Sequence, residues 1–363
     1  MHINYSILIM GLVTAFFVVL LATPSLIKVA KLKHLVDEPV DDRKLHKKRI
    51  PTIGGIIIFS AILFSYALWF PDDSISNYNL AESLHEFKYI VACLIILFFV
   101  GVKDDIIGTA PVKKLSAHML VAFILVIMAD IRIESFHGLF GIDASFPDSG
   151  SMFLTAFVYI VIVNALNLID GLDGLAAGVG FICGAGFGAW FILAGNLPLA
   201  LLSFTLCGAL LGFLVFNFSP AKIFMGDSGS LTIGLIIAVL AIRLIEYPTS
   251  FMPDFAQKIS TPVMAMSILV YPLIDTLRVF TIRAMKGRSP FSADRNHLHH
   301  RLLDLGLNHA KTVSIIFGYN ILVIGSAVGI SQVLNPTLTF IAVFGIAFSL
   351  IQIPLFMSRK KAA

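Results

Sequence analysis

Residues 151–174 read SMFLTAFVYIVIVNALNLIDGLDG, an apolar run that ends in Asn164, Asn167, Asp170 and Asp173 with Gly171 and Gly174 among them. About twenty apolar residues in a helix cross ~30 Å of hydrocarbon. Two acids and two glycines straddling the end of such a run make a poor lipid-facing helix. If the helix continues, Asn164, Asn167 and Asp170 recur at i, i+3 and i+6 and Asp173 follows one turn on, so all four share one face. The stretch reads as a membrane span with a polar cluster at one interface.

The rest of the chain repeats the pattern. It has 363 residues, of which 58% are hydrophobic and only 13% charged, where a soluble domain carries about 25% charge. Eleven candidate spans fall at roughly 5–27, 53–70, 88–102, 115–130, 151–169, 174–194, 198–217, 230–246, 261–282, 312–333 and 337–357. The first has no basic residues ahead of it and is too long for a signal peptide; Lys28, Lys31 and Lys33 follow it, as in an anchor. The expected fold is an all-α, polytopic membrane bundle of about eleven helices, one domain over 1–363. Of the 26 lysines and arginines, all but Lys88, Arg132, Arg243 and Lys258 lie on one side if the N-terminus is outside and the C-terminus inside. The net charge of +4 follows from these anchors and implies no nucleic acid. Cys93, Cys183 and Cys207 all lie within spans and read as buried apolar residues.

The chemistry-bearing residues gather in the inner loops, at about 28–52, 103–114, 164–174, 217–230 and 283–311. A transporter would place ionisable groups near mid-bilayer; here they collect at one interface. The first loop is basic from Arg43 to Arg49 and enters the next span through Pro51-Thr52 and Gly54-Gly55, where glycine lets a phosphate approach backbone N–H donors. The second carries Lys103-Asp104-Asp105, then Lys113 and Lys114; adjacent carboxylates at that depth repel each other and point to metal or proton chemistry. The fourth runs from Asn217 to Phe224 and Gly226-Asp227-Ser228-Gly229-Ser230, with the Phe224 ring available to stack on a base. The last holds Arg283, Lys286, Arg288, Arg295, His297-Leu298-His299-His300 and Arg301. No thiolate accompanies the histidines and the arginines oppose a cation, so a diphosphate fits better than zinc. Asp275, with Arg278 at i+3, reads as a structural pair.

A set of acids and bases at one interface suits displacement between two phosphates, which needs a divalent cation, cationic side chains and at most one base. Magnesium takes one or two protein carboxylates, so five aspartates cannot all be ligands.

Lys103-Asp104-Asp105, Asn164 to Gly174, Phe224 to Ser230 and His297-Leu298-His299-His300 resemble the polyprenyl-phosphate N-acetylhexosamine-1-phosphate transferases, a likeness that runs in order from the first loop to about residue 305. Within them, His-Leu-His-His-Arg and Arg43-Lys44-Leu45-His46 resemble the branch that starts O-antigen, enterobacterial common antigen and teichoic acid synthesis. The phospho-MurNAc-pentapeptide branch has a three-histidine run and ten spans. The resemblance implies a UDP-N-acetylhexosamine donor (UDP-GlcNAc first), an undecaprenyl phosphate acceptor, Mg2+ or Mn2+, and a bacterial inner membrane with the site on its cytoplasmic face. It also implies that Asp227 and Asn167 hold the metal and that Asp104, with Asp105 beside it, is the base. Asp170, Asp173, Asn217 and Phe224 would bind uridine, and Lys47 and Thr52 would line the same pocket. His297, His299 and His300 would lie near the diphosphate, while Asn164, Arg295 and Arg301 complete the expected substrate set. Asp170-Gly171-Leu172-Asp173-Gly174 superficially resembles the CDP-alcohol phosphotransferase motif, but 175–195 contain neither the Arg nor the further aspartates which that motif needs.

Overall fold

A computed structural model describes residues 5–37, 50–71, 79–287 and 297–362, with side chains up to residue 354 apart from that of Asp37. In chain order, the described residues form α1 (Tyr5–Leu32), the paired strands β1 (Val36–Asp37) and β2 (Ile50–Pro51), α2 (Gly54–Leu68), α3 (Leu80–Ile107) and α4 (Pro111–Phe123), the last continued by a π-helical turn, Ile124–Met128. After a short 3-10 turn at Leu139–Gly141 come α5 (Asp148–Leu168), α6 (Leu175–Ala194), α7 (Leu197–Asn217), α8 (Gly226–Glu246) and α9 (Asp254–Gln257). The chain ends in α10 (Thr261–Ile268), α11 (Val270–Met285), α12 (Leu298–Asp304), α13 (His309–Ile330) and α14 (Pro336–Ala362).

Local sequence accounts for many of these limits. Asn79, Asn196 and Asn308 cap α3, α7 and α13 by accepting from backbone N–H groups of the first turn. The run expected as one span over 261–282 is broken into α10 and α11, which meet at 76°. Pro272 lacks the N–H that would bond to Ile268 and its ring crowds that carbonyl; the Ile268 carbonyl instead accepts from the Cys183 thiol at 3.2 Å.

Every expected span falls on a helix, yet among the described residues eight helices are long and apolar enough to cross a bilayer, or nine with the bent pair counted as one. α2 has 15 residues, about 22 Å of rise, which is short of the hydrocarbon thickness. In α3 the apolar stretch is bounded by Glu86 and Lys88 on one side and by Lys103, Asp104 and Asp105 on the other. The chain is nonetheless a multi-pass membrane protein, with its apolar helices as the bulk of the fold.

α8 is the axis of the bundle. Its apolar stretch is 94% buried, against 28% for α1 and 22% for α14 at the periphery. Helices α2, α3, α5 and α6 pack on it, and α1 lies along α7. Whatever side chains α8 carries in its first turn are therefore walled in by neighbouring helices. At the other end of α8, Arg243 pairs with Glu86 of α3 at 2.7 Å, closing the bundle away from that turn.

Candidate active site at the first turn of the central helix

The first turn of α8 has no cap of its own. Asp105 of α3 supplies one across the helix boundary, accepting from the Asp227 N–H at 2.6 Å, the Ser228 N–H at 3.1 Å and the Ser228 hydroxyl at 2.6 Å. Glycine makes the approach feasible. Gly226 has φ +71°, and a Cβ there would run into the Thr52 carbonyl and lie 2.7 Å from both Asp105 oxygens. A Cβ on Gly101 of α3 would strike the Ser228 backbone.

The side chain of Asp227 faces the other way. Its Oδ2 accepts from Lys114 Nζ at 2.5 Å, and the same ammonium donates to Asp104 Oδ2 at 2.7 Å. Its Oδ1 accepts from Asn167 Nδ2 at 3.2 Å, and that amide also donates to Ser230 Oγ at 2.8 Å. The ends of α3, α4, α5 and α8 thus meet at one cluster of two carboxylates, an ammonium and an amide. Lys114, Asp104 and Asp227 are 26%, 18% and 25% exposed, enough for a solute to reach them and little enough for charge to act strongly.

Negative charge accumulates here. Asp105, beyond the apolar part of α3, is raised to about 6 by burial first, with the Asp227 charge adding and the bonds from Ser228 and the Asp227 N–H opposing. Asp170, in the turn after α5, is pushed up to about 7 by burial and then by the charges of Asp227 and Asp105. Among the described residues no three His, Cys, Asp or Glu side chains are grouped as metal ligands. Asp104 and Asp227 do converge on a single positive charge, and such a pair of hard oxygen donors fits a magnesium-type ion that completes its sphere with phosphate and water.

Loops three and four brace this cluster more than they line it. α5 stops at Leu168, so Asn164 and Asn167 are helical while Asp170 and Asp173 lie in the turn that follows. The single face expected for all four does not form, because Gly171 N–H bonds to the Ile169 carbonyl and the chain turns at Gly174. Asn164 donates to the Ile160 carbonyl at 2.8 Å. Asp173 accepts from the Ala221 N–H at 3.1 Å and lies 3.6 Å from His309. Burial would raise its carboxyl, but the neighbouring His309 ring and the Ala221 N–H bond outweigh that and hold it below the usual range. Asn217 accepts from the Gly174 N–H at 3.0 Å and donates to the Ile223 carbonyl at 2.9 Å, tying the two loops together.

Gly54 and Gly55 correct a second expectation. Their N–H groups are not presented to a phosphate, since they donate to the Phe224 and Met225 carbonyls at 3.0 and 2.8 Å. The Phe224 N–H donates to the Pro51 carbonyl at 2.7 Å, so the entrance of α2 is laced to loop four beside Thr52.

The histidines are held by α11. His297 Nδ1 lies 2.8 Å from Asp275 Oδ2, and the Leu298 N–H donates to Asp275 Oδ1 at 2.8 Å, which caps α12. His299 Nδ1 lies 3.2 Å from the Tyr271 hydroxyl, and its ring stacks on His297 at 5.4 Å. Burial lowers His299 to about 3, so it is neutral. His300 tilts against His299 at 4.4 Å. Arg301 is 3.9 Å from Asp304. His299 Nε2 comes within 3.2 Å of where a Cβ of Gly171 would be, so this group borders loop three.

Lys47 and Arg295 lie outside the described residues. Three features were missed from sequence. Lys114 reads as one more anchoring lysine, Asp275 as a partner of Arg278, and Ser228 and Ser230 as helix-start residues. Asp275 is in fact 3.8 Å from Arg278 and much nearer His297. An aspartate near the end of an apolar span, in a chain with a histidine cluster further on, was the available signal.

The fold and the cluster define an integral membrane protein with a group of carboxylates, an ammonium and an amide at one end of a helical bundle. A family description, "Glycosyl transferase family 4", matches residues 87–245, which run from within α3 to the last turn of α8 and hold the whole aspartate cluster. The chain is 33% identical over 288 residues to the decaprenyl-phosphate N-acetylglucosaminephosphotransferase of Mycobacterium tuberculosis, covering 76% of this chain and 71% of that one. It is 31% identical over 315 residues to the probable undecaprenyl-phosphate N-acetylglucosaminyl 1-phosphate transferase of Bacillus subtilis, covering 85% and 81%. It is 29% identical over 293 residues to the undecaprenyl-phosphate alpha-N-acetylglucosaminyl 1-phosphate transferase of Escherichia coli K12, covering 80% and 74%. The chain belongs to glycosyl transferase family 4.

Proposed function

We propose that the protein transfers N-acetylglucosamine 1-phosphate from UDP-GlcNAc to undecaprenyl phosphate, releasing UMP and starting a lipid-linked envelope glycan. The observation that carries this reading is the convergence of Asp104, Lys114, Asn167 and Asp227 at one end of the bundle. The names of the three relatives support the sugar and the lipid. In this reading the chain crosses a bacterial inner membrane eleven times with its N-terminus outside and its C-terminus inside, a sidedness that the distribution of basic residues supports, and the cluster faces the cytoplasm. There a polyprenyl chain stays in hydrocarbon while its phosphate enters the cluster.

In the reaction an oxygen of the lipid phosphate forms a bond to the sugar-bearing phosphorus of the donor. The bond from that phosphorus to the oxygen bridging the two phosphates breaks, and its electron pair leaves with UMP. Asp227 and Asn167, with Asp104 opposite, would hold Mg2+ or Mn2+. When bound, the ion supplies charge neutralisation for the two phosphates. Lys114 holds the two carboxylates together and offers a cation to incoming phosphate. Asp105 keeps the first turn of α8, and so Asp227, in register. Asp104 accepts any proton the attacking phosphate still carries. The histidine cluster borders loop three on the side where the donor diphosphate is expected.

Incubation of purified protein with undecaprenyl phosphate, a magnesium salt and UDP-GlcNAc, UDP-GalNAc or UDP-MurNAc-pentapeptide tests the reading. UMP release with UDP-GlcNAc is expected; turnover only with the pentapeptide donor, or with none, overturns it.

A further inference from the structure

Two groups one turn apart on α11, Tyr271 and Asp275, meet the Nδ1 atoms of two histidines two residues apart at the start of α12. Tyr271 and Asp275 are both fully buried. The imidazole ring sets its two nitrogens on opposed edges, so anchoring Nδ1 on α11 turns Nε2 away from α11. For His299 that direction is fixed, because Nε2 borders Gly171 in loop three. The His297 ring is parallel to it within 14°, and its Nδ1 is anchored on the same face of α11.

We propose that Tyr271 and Asp275 are positioning residues that present the Nε2 edges of His299 and His297 to the donor diphosphate in two different protonation patterns. The inference rests on the transferase reading above. The Tyr271 hydroxyl donates to His299 Nδ1, so His299 is a neutral donor through Nε2–H. Asp275 accepts the Nδ1 proton of His297, so His297 donates through Nε2 only as an imidazolium, whose charge the carboxylate balances. The site then offers one neutral and one charge-assisted bond to the diphosphate. The charged and titratable groups around the pair are Asp275, Arg278 and Tyr271 on α11, His300 on α12, and His309 and Tyr319 on α13. His309 is itself 3.6 Å from Asp173.

Asp275→Asn tests this directly. Its carbonyl oxygen keeps the Leu298 N–H bond, while its amide faces His297 Nδ1 and drives the proton to Nε2, leaving a neutral donor. In Asp275→Asn the donor KM should rise about tenfold with kcat unchanged, the difference between a charge-assisted and a neutral hydrogen bond. An unchanged donor KM would make Asp275 a cap for α12 and nothing more. If Asp275→Asn does not fold, Tyr271→Phe decides, since it leaves that cap intact. A donor KM raised several-fold with kcat unchanged supports the proposal, and an unchanged KM overturns it. Absence of any wild-type turnover would count against the transferase reading, a different outcome from either variant result.

Discussion

Replacing Lys114 with Gln removes the one ammonium that donates to both Asp104 and Asp227. The two acceptor oxygens, 2.7 and 2.5 Å from Nζ, are then at most about 5 Å apart with no cation between them. At an effective dielectric near 20 their repulsion is about 3 kcal/mol, and partial exposure trims this to about 1–3 kcal/mol. The variant prepared in chelator should therefore melt several degrees below wild type, measured by intrinsic fluorescence in detergent. Adding Mg2+ or Mn2+ should raise its melting temperature by more than it raises that of wild type, because the ion no longer competes with an internal ammonium. Gln is neutral and one bond shorter than Lys, so it does not restore the counter-charge between the carboxylates. Equal melting temperatures in chelator, together with equal metal responses, would refute the placement of Lys114 as the counter-ion of this pair.

Three further outcomes follow from the same geometry. Asp105→Asn loses a charge-assisted bond to the first turn of α8, about 2 kcal/mol, so thermal stability and turnover should fall together, whereas Asp227→Asn should lose turnover with the melting temperature largely kept; the two variants are compared by melting and UMP release. Asp170 is raised to about 7 in the fold from 3.8, so the native state binds the extra proton and its contribution is lost as pH rises through 7. The lowered His299 opposes this only below about 6.5. The chelated wild type should therefore lose stability between pH 6.5 and 8 relative to Asp170→Asn, and parallel melting curves against pH would contradict this. Single cysteines at 140–148 should react with an impermeant reagent added outside cells, and cysteines at 297–300 should not; the reverse would overturn the orientation.

Much of the fold was legible because hydrocarbon imposes a simple rule: each apolar run must satisfy its own backbone as a helix. The limits of α5 to α8 follow from that rule and from the glycines and asparagines at their ends. The bend at Leu269 was written in Pro272, but an apolar run reads through one proline without visible interruption. In the site, the gathering of Asp227 and the Asp104–Asp105 pair at one end of the bundle was readable from acids at the ends of spans. The division between them was not. Adjacent residues on a helix point about 100° apart, which sends Asp105 to the α8 amides and Asp104 to Lys114. Lys114 itself was hidden by the many lysines that anchor such chains. The partners of Gly54, Asn217 and Asp173 lie in loops distant in sequence, so their bracing roles emerge only from tertiary contacts.

The central claim is that a sugar phosphate moves, and that the sugar does not move alone. UDP-GlcNAc labelled with 32P at the sugar-bearing phosphate, given to the purified protein with undecaprenyl phosphate and Mg2+, tests it in one chromatogram. The label should pass into the lipid fraction, with unlabelled UMP as the water-soluble product. Label recovered as UDP, with an unlabelled glycolipid, would contradict the account.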